Sequence, residues 1–133
     1  MKKKRIIFYI CVVTAVVCAA ILVIMGIQRM RQGQLTEQAQ EQAVVSEETG
    51  IEEVDFSALR KLNEDIYAWI YIPGTEVNYP ILQSSEDEAE DYYLDHNLDG
   101  SSGKPACIYT QKRNSRDFTD PNTVIYGHNM RDG

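Results

Sequence analysis

The chain has 133 residues, with 20 acidic and 13 basic side chains and a formal net charge of −7. The charge is unevenly spread: residues 1–31 hold six basic and no acidic residues, so the remainder carries 7 basic against 20 acidic, or −13. The acidic part has no basic stripe and no interleaving of aromatic and basic residues, which disfavours nucleic acid as a partner.

Residues 1–5 form a basic tail, and residues 6–27 (IIFYICVVTAVVCAAILVIMGI) form a run without a charged residue. At the helical rise this run reaches about 33 Å, enough to cross a hydrocarbon core of roughly 30 Å. A buried core helix would need a surrounding domain larger than this chain offers. A cleaved signal peptide would have an apolar core of about 7–15 residues and a small-x-small site. This run is longer, and Gln28, Arg29, Met30 and Arg31 offer no such site. A lipoprotein signal fits poorly because Val17 precedes Cys18. The span therefore reads as an uncleaved anchor contacting membrane lipid. Its basic N-terminal flank places the N-terminus in the cytoplasm and the acidic part outside. Cys11 and Cys18 lie on one face of the span as small apolar side chains.

Residues 28–54 are rich in glutamine and glutamate and contain no aromatic residue. Such a stretch buries too little surface to offset chain entropy and reads as a polar linker, mobile or frayed helix. The folded part is expected from 55 to 133. Asp55 is a plausible N-cap, and Phe56, Leu59, Leu62 and Ile66 approximate one helical face. Trp69 to Ile72 reads as a strand, Pro73 to Glu76 as a turn and Val77 to Leu82 as a second strand. Pro80 puts that second strand at an edge or a bulge. Ser85 with Glu88 fits a capping box, which predicts a short helix to about Leu94. Pro105 to Tyr109 and Thr123 to Tyr126 read as two further strands separated by a polar loop. Four short strands and two short helices in about 80 residues make a thin core. An open sheet of this kind looks like the first half of a larger β-structure and leaves an edge exposed.

Three places are candidates for chemistry. Asp95 to Gly100 (DHNLDG) matches the opening of a calcium loop, but Ala106 stands where the bidentate glutamate should be and the flanking helices are missing. A polar loop is the better reading, and His96 belongs to it. His96 and His128 have no third ligand at suitable spacing for zinc, so no metal and no cofactor is expected. Cys107 is the one cysteine of the acidic part. Nothing near it in sequence would lower its pKa, so it reads as a small buried hydrophobe rather than a nucleophile. His128 follows the strand-like TVIY and the turn residue Gly127, with Asn129 beside it. A histidine where a strand ends is held by a scaffold yet open to a ligand, and it is suited to proton transfer near neutral pH.

The acidic part resembles the class B sortases, membrane-anchored cysteine transpeptidases of Gram-positive bacteria. The resemblance rests on LNEDIYAWIYIPGTEVNYPILQ (62–83), DYYLDHN (91–97), a strand leading out of Gly103, and NTVIYGHNM (122–130), in that order. It implies a mainly β fold, an incomplete sortase-type β-barrel with short N-terminal helices, preceded by one transmembrane helix. It implies acyl transfer. A cysteine thiolate attacks a threonyl carbonyl in the sorting signal of a surface protein or pilin, and an amine of the cell-wall precursor or of a pilin resolves the thioacyl-enzyme. A histidine moves the proton and an arginine stabilises the oxyanion. By motif the histidine role falls on His128. The family's cysteine and arginine come later than the histidine motif. Cys107 therefore does not inherit the nucleophile role, and Arg113, Arg116 and Arg131 match no family arginine. On that resemblance the chain is expected to be a truncated sortase, inactive alone. The alternatives are a non-catalytic membrane-anchored interaction protein of the cell exterior and, more remotely, a secreted metal-binding domain.

Overall fold

In the computed structural model, residues 2–46, 48 and 50–128 are described; Asn129 to Gly133, including Arg131, lie outside them. The elements in chain order are helix α1 (Lys2–Gln40), strands β1 (Ala43–Ser46) and β2 (Gly50–Val54), helix α2 (Phe56–Leu62), strands β3 (Ile66–Tyr71) and β4 (Asn78–Leu82), a 3-10 turn (Tyr92–Leu94), and strands β5 (Ile108–Thr110) and β6 (Ile125–Tyr126). Two compact units share them, residues 1–31 and residues 32–133.

In the first unit, residues 6–27 are helical and apolar on every face, with Phe8, Val13, Val16, Leu22 and Met25 all exposed. Its length and composition are those of a membrane-crossing helix. Thr14 donates its hydroxyl to the Ile10 carbonyl at 2.9 Å, so the one hydroxyl of this stretch besides Tyr9 is satisfied within the helix.

The second unit begins inside the stretch read above as a linker, and that stretch carries regular structure. Ala39 is fully buried and Leu35 packs on the same core. These residues are four apart and share one helical face, which is enough to dock the end of α1 although glutamines surround them. An antiparallel β1–β2 hairpin follows, with Ala43 opposite Val54. Its return delivers Asp55 to the start of α2, where one carboxylate oxygen accepts from the N–H groups of Ser57 and Ala58, each at 2.9 Å. These bonds hold the Asp55 carboxyl below its usual pKa, the Ser57 hydroxyl contributing most.

Helix α2 is shorter than its apolar periodicity suggested. Asn63 closes it in an extended conformation, and its side chain accepts from the Asp65 N–H at 2.9 Å. Ile66 therefore enters β3 instead of continuing the helical face. The β3–β4 hairpin turns at Pro73-Gly74, with Gly74 at φ +75 and Thr75 N–H donating to the Ile72 carbonyl. That is the arrangement in which proline presets the first corner and only glycine fits the second without strain.

The main sheet runs β3-β4-β5-β6, with β4 and β5 parallel and the other pairs antiparallel. It is open; no barrel closes among the described residues. Strand β4 is interior to this sheet, contrary to the edge position that Pro80 suggested. The ladder to β5 spans only Ile81 and Leu82, so at Pro80 the strand has a partner on one side alone and a missing N–H is tolerated. The expected helix from Ser85 to Leu94 is also absent. Turns fill it until the short 3-10 segment, because Glu86, Asp87, Glu88, Glu90 and Asp91 repel one another and leave no apolar face to bury. Leu59, Ile66 and Leu82 are fully buried, and Tyr93, Leu98 and Tyr109 complete the core beside them.

Candidate active site

The sheet ends where His128 begins. Strand β6 is only two residues long, and pairing of Tyr126 with Tyr109 fixes its register. The rings of that pair stack with centroids 5.3 Å apart, a contact worth more than its area alone. Gly127 then passes close to β5; a Cβ there would stand 3.4 Å from Ile108 Cγ1. His128 follows, half-buried, with Nε2 2.5 Å from the Leu94 carbonyl oxygen.

So short a strand needs support from outside its ladder, and a buried polar network supplies it. Gln83, at the end of β4, is 6% exposed. Its Nε2 donates to Thr110 Oγ1 at 3.1 Å, to the Gln111 carbonyl at 3.0 Å and to the Asn114 carbonyl at 2.8 Å. Its Oε1 accepts from Arg116 Nε at 3.1 Å, and Arg116 also donates to the Gln83 carbonyl at 2.8 Å. The guanidinium lies 3.7 Å from Asp65 and over the Tyr67 ring. Asn114 carries the network on. Its Nδ2 donates to the Asn122 carbonyl and to Asp120, and its Oδ1 accepts from the Val124 N–H at 3.1 Å, one residue before β6. The Asn114 amide, followed by the Ser115 N–H, holds the Asp120 carboxyl below its usual pKa. That support is present above the ordinary carboxylate pKa and is lost as pH falls through the lowered one.

A second cluster braces the 3-10 turn that meets His128. Tyr93 donates its hydroxyl to Asp65 Oδ2 at 2.7 Å and accepts from Asn63 Nδ2 at 3.1 Å. Burial, then the Asp65 hydrogen bond, pushes its hydroxyl well above the usual tyrosine pKa. His96 stacks on Tyr92 at 3.9 Å, with Nδ1 2.7 Å from the Tyr92 carbonyl oxygen and Nε2 near the Ser102 hydroxyl. The DHNLDG stretch is a hydrogen-bonded loop: Asp99 Oδ1 accepts from Gln32 and from both donors of Ser101. Cys107 is partly buried against the core, with its N–H directed at the Tyr93 carbonyl at 3.4 Å. Burial, with the Asp99 charge second, pushes the thiol up to about 12. Arg113 pairs with Glu90 at 3.0 Å, and Arg116 is bound into the Gln83 network.

No protein-family model matches the chain. Curated relatives and solved structures do. The chain is 48% identical over 75 residues to sortase B of Listeria monocytogenes, an alignment covering 56% of this chain and 29% of that protein. It is 34% identical over 77 residues to sortase B of Staphylococcus aureus, covering 58% and 30%; that protein is also solved as a sortase B–substrate complex. Sortase B of Bacillus anthracis in complex with AAEK2 superposes with a TM-score of 0.59 at 31% identity, over 78% of this chain and 49% of that one. Over the part of them that it spans, the chain is homologous to class B sortases. It has the mainly β sortase-type fold, and it spans under a third of the two curated relatives and about half of the B. anthracis chain.

Sequence reasoning singled out His128 as a candidate and left the residues that support it unnamed. Gln83 was visible as a polar residue closing the apolar run YPIL, the one signal that its amide is buried for a purpose. Asn114 and Arg116 sit in a polar loop and give no local signal; only the fold brings them to Gln83.

A thiol at about 12 is a poor nucleophile. At pH 8 its thiolate fraction is roughly a thousandfold below that of an unperturbed cysteine. Iodoacetamide should therefore leave Cys107 unmodified in the folded chain and label it only in denaturant, as read by peptide mass mapping. Because the folded pKa is raised, the thiol's contribution to stability is complete below its ordinary pKa and is lost as pH rises toward 12. Rapid native labelling of Cys107 would contradict this picture.

Proposed function

We propose that this chain acts in sortase-type acyl transfer at the outer face of a membrane, with His128 as the proton donor and acceptor. The observation that supports this most is the position of His128. It stands half-buried at the open end of a sortase-type sheet, on a two-residue strand held by the Gln83–Asn114 network. A ring so placed can take a proton from an attacking thiol and return it to a leaving amine.

In this reading Cys107, Arg113 and Arg116 take neither of the other two catalytic roles. Cys107 lacks the electropositive surroundings that a thiolate nucleophile needs. Arg113 and Arg116 are committed to Glu90 and to Gln83 with Asp65. In this reading Cys107 does not bond an acyl group covalently. The substrates are sorting-signal-bearing surface proteins or pilins, and the resolving nucleophile is a cell-wall precursor amine. Residues 6–27 hold the protein in lipid, with the N-terminus in the cytoplasm and the acidic unit outside.

Thioester trapping with a labelled sorting peptide tests the assignment. The chain as it stands should give no adduct. A chimera that appends the C-terminal half of a class B sortase should turn over, and His128→Ala in it should lower turnover about 10²–10⁴-fold. Cys107→Ala should leave the chimera active. An adduct on the short chain that Cys107→Ala removes would make Cys107 the nucleophile. Protease added to intact spheroplasts should digest the acidic unit; its protection would reverse the topology.

A further inference from the structure

Two histidines lean on one 3-10 turn by opposite nitrogens. His96 presents Nδ1 to the Tyr92 carbonyl oxygen, 2.7 Å away, with Asp95 Oδ1 at the same distance. His128 presents Nε2 to the Leu94 carbonyl oxygen. A carbonyl or carboxylate oxygen has no proton to donate, so the facing ring nitrogen must be the donor in each case. In their neutral forms the two imidazoles are thus different tautomers, Nδ1–H at His96 and Nε2–H at His128. The Ser102 hydroxyl, 3.2 Å from His96 Nε2, fits this assignment because a hydroxyl can donate to the bare nitrogen.

We propose that the Tyr92–Leu94 turn is the positioning element of His128: the Leu94 carbonyl keeps a proton on Nε2 throughout, which leaves Nδ1 as the nitrogen that exchanges the catalytic proton. This rests on the proton-transfer role proposed for His128. When Nδ1 takes a thiol proton, the ring becomes an imidazolium and the Nε2–H bond to Leu94 strengthens with the charge. When the leaving amine takes the proton back from Nδ1, the original tautomer returns. The ring need not turn over between the two transfers, because one nitrogen does both.

The turn can do this only if it is itself fixed. Tyr93 fixes it: the residue is 3% exposed and its hydroxyl joins Asp65 and Asn63. The Cys107 N–H also meets the Tyr93 carbonyl. Tyr93 is thus a positioning residue that acts on the ring through one backbone carbonyl.

The test reads the ring directly, so it can fail while acyl transfer through His128 stands, and the reverse. The full chain, labelled with ¹⁵N-histidine in detergent micelles, is examined by long-range ¹H–¹⁵N correlation at a pH where both rings are neutral. His96→Gln assigns the two signals. The expected result is Nε2–H at His128 and Nδ1–H at His96 in the same molecule. Tyr93→Phe should speed exchange of the His128 Nε2 proton by about fivefold or more, the worth of one net hydrogen bond. Asp65→Asn keeps an acceptor for the Tyr93 hydroxyl and should preserve the slow exchange. An Nδ1–H or averaged tautomer at His128 in the unmodified chain overturns the proposal, whatever the variants do. Unchanged exchange in Tyr93→Phe removes Tyr93 from the positioning role.

Discussion

The side-chain amide of Gln83 joins the central strand to everything that follows it. Its oxygen accepts from Arg116, and its nitrogen is shared among Thr110, Gln111 and the Asn114 carbonyl. A buried amide with its hydrogen-bonding capacity used is a strong local constraint, since each partner left bare in a low-dielectric interior would cost about 1–3 kcal/mol. Strands β5 and β6 are three and two residues long and cannot set their own geometry by ladder bonds. The network does it for them. Thr110 is pinned at the end of β5, the loop is pinned at Asn114, and Asn114 in turn pins Val124 ahead of β6.

His128 inherits its place from two directions as a result. The Gln83 network sets the strand that carries it, and the Tyr93–Asp65–Asn63 cluster sets the turn that its ring meets. Asp65 belongs to both, bonding Tyr93 at 2.7 Å and lying 3.7 Å from the Arg116 guanidinium. The proton-transfer role proposed for His128 needs this kind of support because small displacements of a reacting atom cost large factors in rate. Cys107 shows the opposite case. It lies beside the same turn, but its surroundings are apolar and acidic, which suppresses the thiolate.

Much of this was legible in the sequence. The apolar run of 6–27, the Asp55 cap, the Pro73-Gly74 turn and the four strands in order all follow from local chemistry, and His128 stands out where a strand gives way to glycine. The failures have physical causes too. Glutamines hid Leu35 and Ala39, whose shared face docks the end of α1, so that stretch read as a linker. The Ser85–Glu88 pair satisfied a capping pattern, yet the acidic run behind it had no apolar face to bury and stayed in turns. Pro80 suggested an edge strand because only the fold shows that its neighbour β5 begins one residue later. The Gln83 network was out of reach for the same reason. Gln83, Asn114 and Arg116 are separated by up to 33 residues and meet only after the crossover from β4 to β5 is made.

The central claim is that one buried amide holds the strand that presents His128. Amide hydrogen exchange in Gln83→Leu measures this most directly. That variant keeps the apolar volume and removes the amide. The prediction is that Val124, Ile125 and Tyr126 lose protection together while the β3–β4 hairpin keeps most of its own. Equal loss across both regions would show that Gln83 is a general core residue. Unchanged protection at Val124 to Tyr126 would show that β6 stands without it.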